Sequence, residues 1–159
     1  MKRIPVTLEG KKQLEEELNH LKDVERPKIE KTIGEARAHG DLRENAEYHA
    51  AKEAQGLLEA KIRLIEHKLA HSYVINPARI PRDTVAITAR VTMKDMDSGE
   101  MEKYHLVGEG EADPDNGKIL VTSPLAQGII GRQVGDQVSI KAPMGTLRYE
   151  IVSIEYQAP

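Results

Sequence analysis

The feature that most constrains this 159-residue chain is a change of hydrophobic period near residue 77. From Leu8 to about His71, helix-forming residues carry apolar or small side chains at spacings of three and four. Leu14, Leu18, Leu21, Ile29, Ile33 and Ala36 mark an outgoing stretch, and Ala51, Ala54, Leu58, Ile62, Ile65 and Leu69 a returning one. Such spacings draw a seam along one face of a helix. Between the stretches stands HGDLREN, residues 39–45. Gly40 suits a left-handed helix end, and Asp41 can accept from the first free N–H groups of a following helix. The pattern predicts an antiparallel helical hairpin that turns near residue 40. A leg of roughly 30 residues at 1.5 Å each is on the order of 45 Å long, so the turn should stand well away from a small globular body. Pro27 falls in the gap of the seam between Leu21 and Ile29 and predicts a kink rather than a stop, since one helical hydrogen bond is lost there.

Past Pro77 and Pro81 the period drops to two. TVAITARVTM, KYHLVG, KILV, DQVSIKA and TLRYEIVSIEY alternate or run apolar between Gly, Pro and Asn turns, the pattern of a small β-rich domain. Its one helical turn is SPLAQGIIG, where Ser123 can cap and Pro124 can take the first helical position. The expected fold is therefore α+β: an N-terminal coiled-coil hairpin over 1–76 with its tip near 38–48, then a β-rich domain over 77–159.

Composition removes several classes of function. No cysteine occurs, so disulfide frameworks and thiolate metal sites are excluded. No apolar run approaches the roughly 18 residues of a membrane span, and MKRIPVTLEGKK lacks the apolar core of a signal peptide, so a cytoplasmic protein is expected. Through Arg79 there are 15 basic and 14 acidic residues, and after it 8 and 12. Neither half has the cationic surplus that holds a nucleic acid by its phosphates alone. His67 and His71 stand four apart without an intervening Glu or a nearby third ligand, so no zinc is assigned. The acidic stretch EGEADPDNG, residues 109–117, has its glycine one place early for a calcium loop and Pro124 where the bidentate Glu would fall. Asn116-Gly117 within it reads as a hairpin turn.

Asp41 and Glu44 carry the chemistry of the turn. Three positions apart, both carboxylates can face one side of an opening helical turn. The same D-x-x-E spacing is a capping box, in which the acids satisfy backbone donors. Their place at the end of a long hairpin favours a role outward from the tip. Arg37 and Lys52, on opposite legs near it, are positioned for phosphates flanking such a site, or else belong to an ordinary solvated helix face. In ENAEYHAA, Asn45 can bond water or phosphate and Tyr48 can stack on a base, although surface-polar and seam-flanking roles suit them equally.

The stretch GEARAHGDLRENAEYHAAKEAQG, with the opening IPVTLEGKKQLEEELNHLK and the closing SPLAQGIIGRQVGDQVSIKAP and YEIVSIEY, resembles the Gre transcript-cleavage factors, the GreA type more than the GreB type. The match runs almost end to end. The resemblance implies that the hairpin enters the secondary channel of a bacterial RNA polymerase and that the C-terminal domain, FKBP-like in fold, docks at the channel rim through the region of Ser123 and Pro124. It further implies that Asp41 and Glu44 are the tip acids, that Arg37 and Lys52 form the small basic patch, and that a DNA-binding association with the transcription machinery comes with the family. Two-metal phosphodiester hydrolysis places one ion at the attacking oxygen and one at the leaving oxygen. Mg²⁺ takes one or two carboxylates plus waters and substrate phosphates. The acids would then help retain a Mg²⁺ shared with the polymerase at the backtracked RNA 3′ end, the chain being a monomeric accessory factor rather than a free-standing enzyme. The alternatives are a channel-blocking inhibitor of the same fold, an FKBP-type prolyl isomerase, for which an aromatic-lined pocket is poorly supplied by a chain without Phe or Trp, and a chaperone-like coiled-coil adaptor.

Overall fold

A computed structural model describes residues 3–40 and 44–157. The helical half begins with α1 (Leu8–His20), whose first turn is capped by the Thr7 hydroxyl accepting from the Gly10 N–H at 3.0 Å. It runs through a wide π turn (Leu21–Glu25) into α2 (Arg26–Arg37) and returns as α3 (Ala46–Ala70).

The π turn is where the sequence expected a kink at Pro27. The Arg26 N–H reaches back five residues to the Leu21 carbonyl. Such a turn absorbs one residue more than an α-helical turn does. Leu21 and Ile29 are eight positions apart, which in a regular helix would swing Ile29 about 80° off the seam. The added residue cancels that drift, so Ile33 and Ala36 are buried on the same strip as Leu14 and Leu21. The wide turn also lies just ahead of Pro27, in the first turn of α2, where its missing N–H and ring are tolerated. His20 and Glu25 meet across the turn at 3.2 Å.

On α3 the seam is Ala51, Leu58, Ile62 and Ile65, all buried, with Tyr48, Gln55 and Leu69 half-buried. Ala54, expected on the seam, is exposed, and Gln55 takes its place. The spacing 48, 51, 55, 58, 62, 65, 69 is an unbroken heptad pattern, and apolarity alone selected the wrong neighbour. Polar groups flank the strip. Arg26 forks onto Glu59 with two hydrogen bonds of 2.8 Å, Lys22 meets Glu66 at 3.2 Å and Lys61 meets Glu17 at 3.5 Å. The hydrogen bond from Arg26 holds the Glu59 carboxyl below the usual carboxylate range.

The β-rich half has strands β1 (Ile4–Val6), β2 (Ser72–Val74), β3 (Arg90–Asp95), β4 (Met101–Val107), β5 (Lys118–Leu120), β6 (Gln137–Ala142) and β7 (Gly145–Glu155), with α4 at Pro124–Ile129. β1 pairs with β2, and the other five form one sheet in the order β5-β4-β3-β7-β6. All its neighbours are antiparallel except β4 and β5, which are parallel. Asn116-Gly117 does make a tight turn, with Gly117 at φ 74° and Asp113 and Lys118 exchanging both backbone bonds. The strand it feeds nonetheless runs alongside β4 in the same direction. Residues 84–89, read as the start of a strand, lie outside β3: Thr88 adopts φ 77°, Val85 and Ala89 turn into the core, and Thr88 and Ala89 bond to the sheet through the Leu106 backbone at 2.9 Å. One sheet face packs Val91, Met93, Leu106, Val138, Ile140, Tyr149 and Ile151 against Ala126 and Ile129 of α4.

Two compact units emerge. Lys11–Ser72 falls in one, and Ile4–Gly10 joins Tyr73–Pro159 in the other. The N-terminal segment belongs to the second unit because its backbone approaches that unit closely. A Cβ on Gly108 would lie 2.8 Å from the Pro5 carbonyl oxygen, and one on Gly10 would lie 2.8 Å from that of Glu109. Thr7 also donates to the Glu111 carboxylate. No helix among the described residues is long and apolar enough to cross a membrane.

Deleting Val24, which is 43% exposed, leaves the seven-residue seam spacing of an ordinary α-helix but returns Pro27 to a helix interior. The deletion is expected to cost about 3 kcal/mol, and Pro27→Ala in the same background to restore most of it. Denaturant unfolding of the two variants checks this, and no recovery in the double variant would refute the role given to the wide turn.

Candidate functional site at the hairpin tip

At the tip, α2 ends at Arg37, the Ala38 N–H bonding back to Gly34 and Glu35 at 3.3 and 3.2 Å. Gly40 follows with φ 118°, the positive backbone angle foreseen for it. Asp41 lies outside the described residues. α3 opens only at Ala46, and its cap is Asn45, whose side-chain oxygen accepts from the Tyr48 N–H at 3.1 Å. The capping box drawn from Asp41 and Glu44 is therefore corrected. Glu44 stands one residue before the cap, outside the helix and exposed. Asparagine ranks with aspartate as a cap, and it stands directly before the periodic run that begins at Tyr48. That was the signal available in the sequence, and the D-x-x-E spacing drew attention upstream of it.

Asn45 does more than cap. Its amide nitrogen donates to the Ala36 carbonyl at 2.6 Å, so one side chain joins the last turn of α2 to the first turn of α3. Arg37 and Tyr48 also meet across the legs, the guanidinium carbon 5.8 Å from the ring centroid, within cation–π range. Tyr48 is thus half-buried beside Arg37, with His49 against its edge at 5.7 Å. Lys52 is exposed on α3 and donates to Gln55 at 3.0 Å. The structure brings Arg37, Asn45 and Tyr48 together, and Lys52 stands apart on its own helix.

Glu44 opens on a shallow cavity of about 520 Å³ that it lines with His39, Asn45, Ala46 and Glu47. Glu44 and Glu47 give this cavity two carboxylates, fewer than a cation site needs by itself, and no group of three or more metal-binding side chains gathers among the described residues. His39 and His49 do not form an HExxH motif and were given no metal role in the sequence, and Glu47 was not singled out.

In the other unit, Ser123 caps α4 by accepting from the Ala126 N–H at 3.3 Å, and Pro124 takes the first helical position, as expected. The open face of the sheet gathers Arg90, Thr92, Lys103 and His105 around a cavity of about 250 Å³. The strand register sets Arg90 beside His105 and His105 beside Lys118. Burial, and then the charges of Arg90 and Lys118, push the His105 pKa below 6.5. Tyr149 is buried, and Tyr104 and Tyr156 pack against the core, so the three tyrosines of the five-stranded sheet and its C-terminal end are occupied in packing.

Residues 4–74 match the family "Transcription elongation factor, N-terminal", and residues 80–156 match "Transcription elongation factor, GreA/GreB, C-term". "Transcription elongation factor GreA" of Thermodesulfovibrio yellowstonii is 53% identical over 98% of this chain and 98% of its own. That of Methylococcus capsulatus is 50% identical over 98% and 99%. Among solved structures, the GreA factor homolog Gfh1 of Thermus thermophilus aligns at 24% identity with a TM-score of 0.46, over 97% of this chain and 99% of its own.

Two outcomes test this geometry. Ser123→Ala should lower stability by about 1 kcal/mol through loss of the α4 cap, read from thermal melting; an unchanged melting curve contradicts the cap. The lowered pKa of His105 means that folding opposes its protonation, so stability from this group declines as pH falls below the unfolded value of about 6.5. Its NMR titration midpoint should lie below that value and rise in Arg90→Ala, and a midpoint above 6.5 is the contrary result.

Proposed function

This chain belongs to the GreA/GreB family of transcription elongation factors, and on that premise we propose that its hairpin tip enters a bacterial RNA polymerase and stimulates cleavage of the backtracked RNA 3′ end. The observation that carries the proposal is the exposed Glu44 carboxylate, left outside the helix while Asn45 takes over the capping. A residue needed for capping would have its oxygens committed to backbone N–H groups. Glu44 makes no hydrogen bond or ion pair with another described residue, and Asp41 is its expected companion.

The tip carboxylates are the ligands that a shared Mg²⁺ would take, and the ion would supply charge neutralisation at the scissile phosphate and a more acidic bound water. Glu44 or Asp41 accepts a proton from the attacking water, a transfer within reach of a carboxylate at hydrogen-bond distance. Arg37, stacked on Tyr48, presents positive charge one turn behind the tip, where an RNA phosphate would pass. Lys52 contributes a more distant charge on the other leg. Ser123 and Pro124 contact the polymerase from the C-terminal domain, the Ser123 cap fixing the short helix that displays them. The factor acts as a monomer in the cytoplasm and turns over no substrate without the polymerase, because half the ligands belong to its partner. A prolyl isomerase reading finds little support, since Tyr104, Tyr149 and Tyr156 are spent on packing and the chain has no Phe or Trp.

Purified factor added to a backtracked transcription complex should shorten the RNA from its 3′ end. Asp41→Asn and Glu44→Gln should each slow the shortening tenfold or more and shift its Mg²⁺ dependence to higher concentration. Their folding stability should move by less than about 0.5 kcal/mol, as for surface changes that remove no cap. Equal, slow shortening by wild type and Asp41→Asn would sink the catalytic assignment.

A further inference from the structure

We propose that Asn45 is a positioning residue for cleavage: by tying the end of α2 to the start of α3, it sets where Glu44, its neighbour in the chain, stands. The inference rests on the reading of the tip acids given above. Its physical basis is the use of both halves of one amide. The oxygen accepts from the Tyr48 N–H at 3.1 Å, and the nitrogen donates to the Ala36 carbonyl at 2.6 Å.

The first bond is ordinary capping, which Ser, Thr or Asp would supply as well. The second is not required to satisfy any group. The Ala36 carbonyl already accepts from the His39 N–H at 3.2 Å, and the amide of a half-buried cap such as Asn45 can still turn to water. What the second bond adds is registration between the legs, across the segment 37–44. Of the common caps, only asparagine presents a donor and an acceptor on one rigid plane. Aspartate has no proton to give, and a serine hydroxyl is a single atom that does not span the two sites. Ala36 is 3% exposed, so the anchor is itself fixed in the seam. The peptide between Glu44 and Asn45 is therefore held to the packed part of the hairpin by two bonds besides its own covalent link. A misplacement of 1 Å in a reacting geometry costs on the order of a hundredfold in rate, which makes such registration consequential for a carboxylate that meets its ligands only in a partner.

The pairing of Arg37 with Tyr48 keeps the legs joined when the clasp is cut, so the clasp can be tested apart from folding. Asn45→Ser and Asn45→Thr keep the cap and lose the donor, and Asn45→Ala loses both. These variants, wild type and Asp41→Asn are compared by RNA shortening in a backtracked complex over a Mg²⁺ titration, by thermal melting, and by competition for polymerase. The cap-preserving variants should melt and compete like wild type, yet cleave about ten- to a hundredfold more slowly at saturating factor, with a Mg²⁺ dependence displaced to higher concentration. Wild-type cleavage by Asn45→Ser and Asn45→Thr, with Asp41→Asn inactive, overturns the inference and leaves the reading of the tip standing. Loss of cleavage only in proportion to lost melting or lost competition reduces Asn45 to a cap and also overturns it. If Asp41→Asn cleaves as well as wild type, the reading beneath the inference fails, and the inference with it.

Discussion

The helical unit depends on one strip of side chains staying opposite another from Leu14 to the tip. Helices of this length derive most of their stability from a buried face rather than from propensity, so a phase error anywhere along the legs would turn the remaining seam residues out to solvent. The wide turn at Leu21–Glu25 is the place where phase is kept. It absorbs the one residue by which the outgoing leg departs from a heptad, and it accommodates Pro27 in the same stroke. Arg26 then falls at a seam-edge position and forks onto Glu59, with both side chains about two-thirds covered. A cation there suits the strip's margin, where a long side chain can lay its methylenes along apolar neighbours while its head meets a carboxylate.

Much of this was legible from the sequence because helical and strand periods differ by nearly a factor of two. The legs, the turn near residue 40, the β-rich second half and the capped turn at Ser123-Pro124 all come from spacing and turn chemistry. Pro27 was legible as a disturbance but not as a register device, since a π turn has no composition of its own. The eight-residue gap between Leu21 and Ile29 held the clue, in that a heptad seam resuming one place late implies an inserted residue. The place of Ile4–Gly10 beside Gly108 was not legible at all. Close backbone approach is made by residues without side chains, and a glycine's reason for being glycine lies in a partner distant along the chain.

Strand order was hidden for a related cause. Asn116-Gly117 encodes a local reversal, and the structure honours it between Asp113 and Lys118. Whether the next strand lies antiparallel or parallel to its predecessor depends on what the sheet edge has room for, and local sequence does not carry that. The unpaired edge of β4 accepts β5 in parallel over only three residues. The stretch 84–89 shows the converse, where Thr88 in a left-handed conformation breaks the alternation, so that Val85 and Ala89 both end in the core while Thr88 and Ala89 keep backbone bonds to β4.

At the tip, the sequence placed the helix cap too early, on the acids rather than on Asn45. An acid that caps a helix is stabilised as a carboxylate by backbone N–H groups, and those bonds compete with any metal that wants the same lone pairs. Giving the cap to Asn45 removes that competition. An amide cap is neutral and cannot titrate, so the start of α3 does not depend on the charge state of the carboxylate beside it. Under the proposed function a single exposed carboxylate would hold Mg²⁺ only weakly by itself, since the ion dehydrates reluctantly and takes its remaining ligands from water, phosphates and other carboxylates. A tip that bound metal strongly when free would carry a filled coordination shell to its partner and would have to shed it before the partner's own ligands could engage. Under the proposed function, half of a shared site would need anchored backbone beside loosely committed oxygens, and Asn45 with its two bonds stands next to the exposed Glu44.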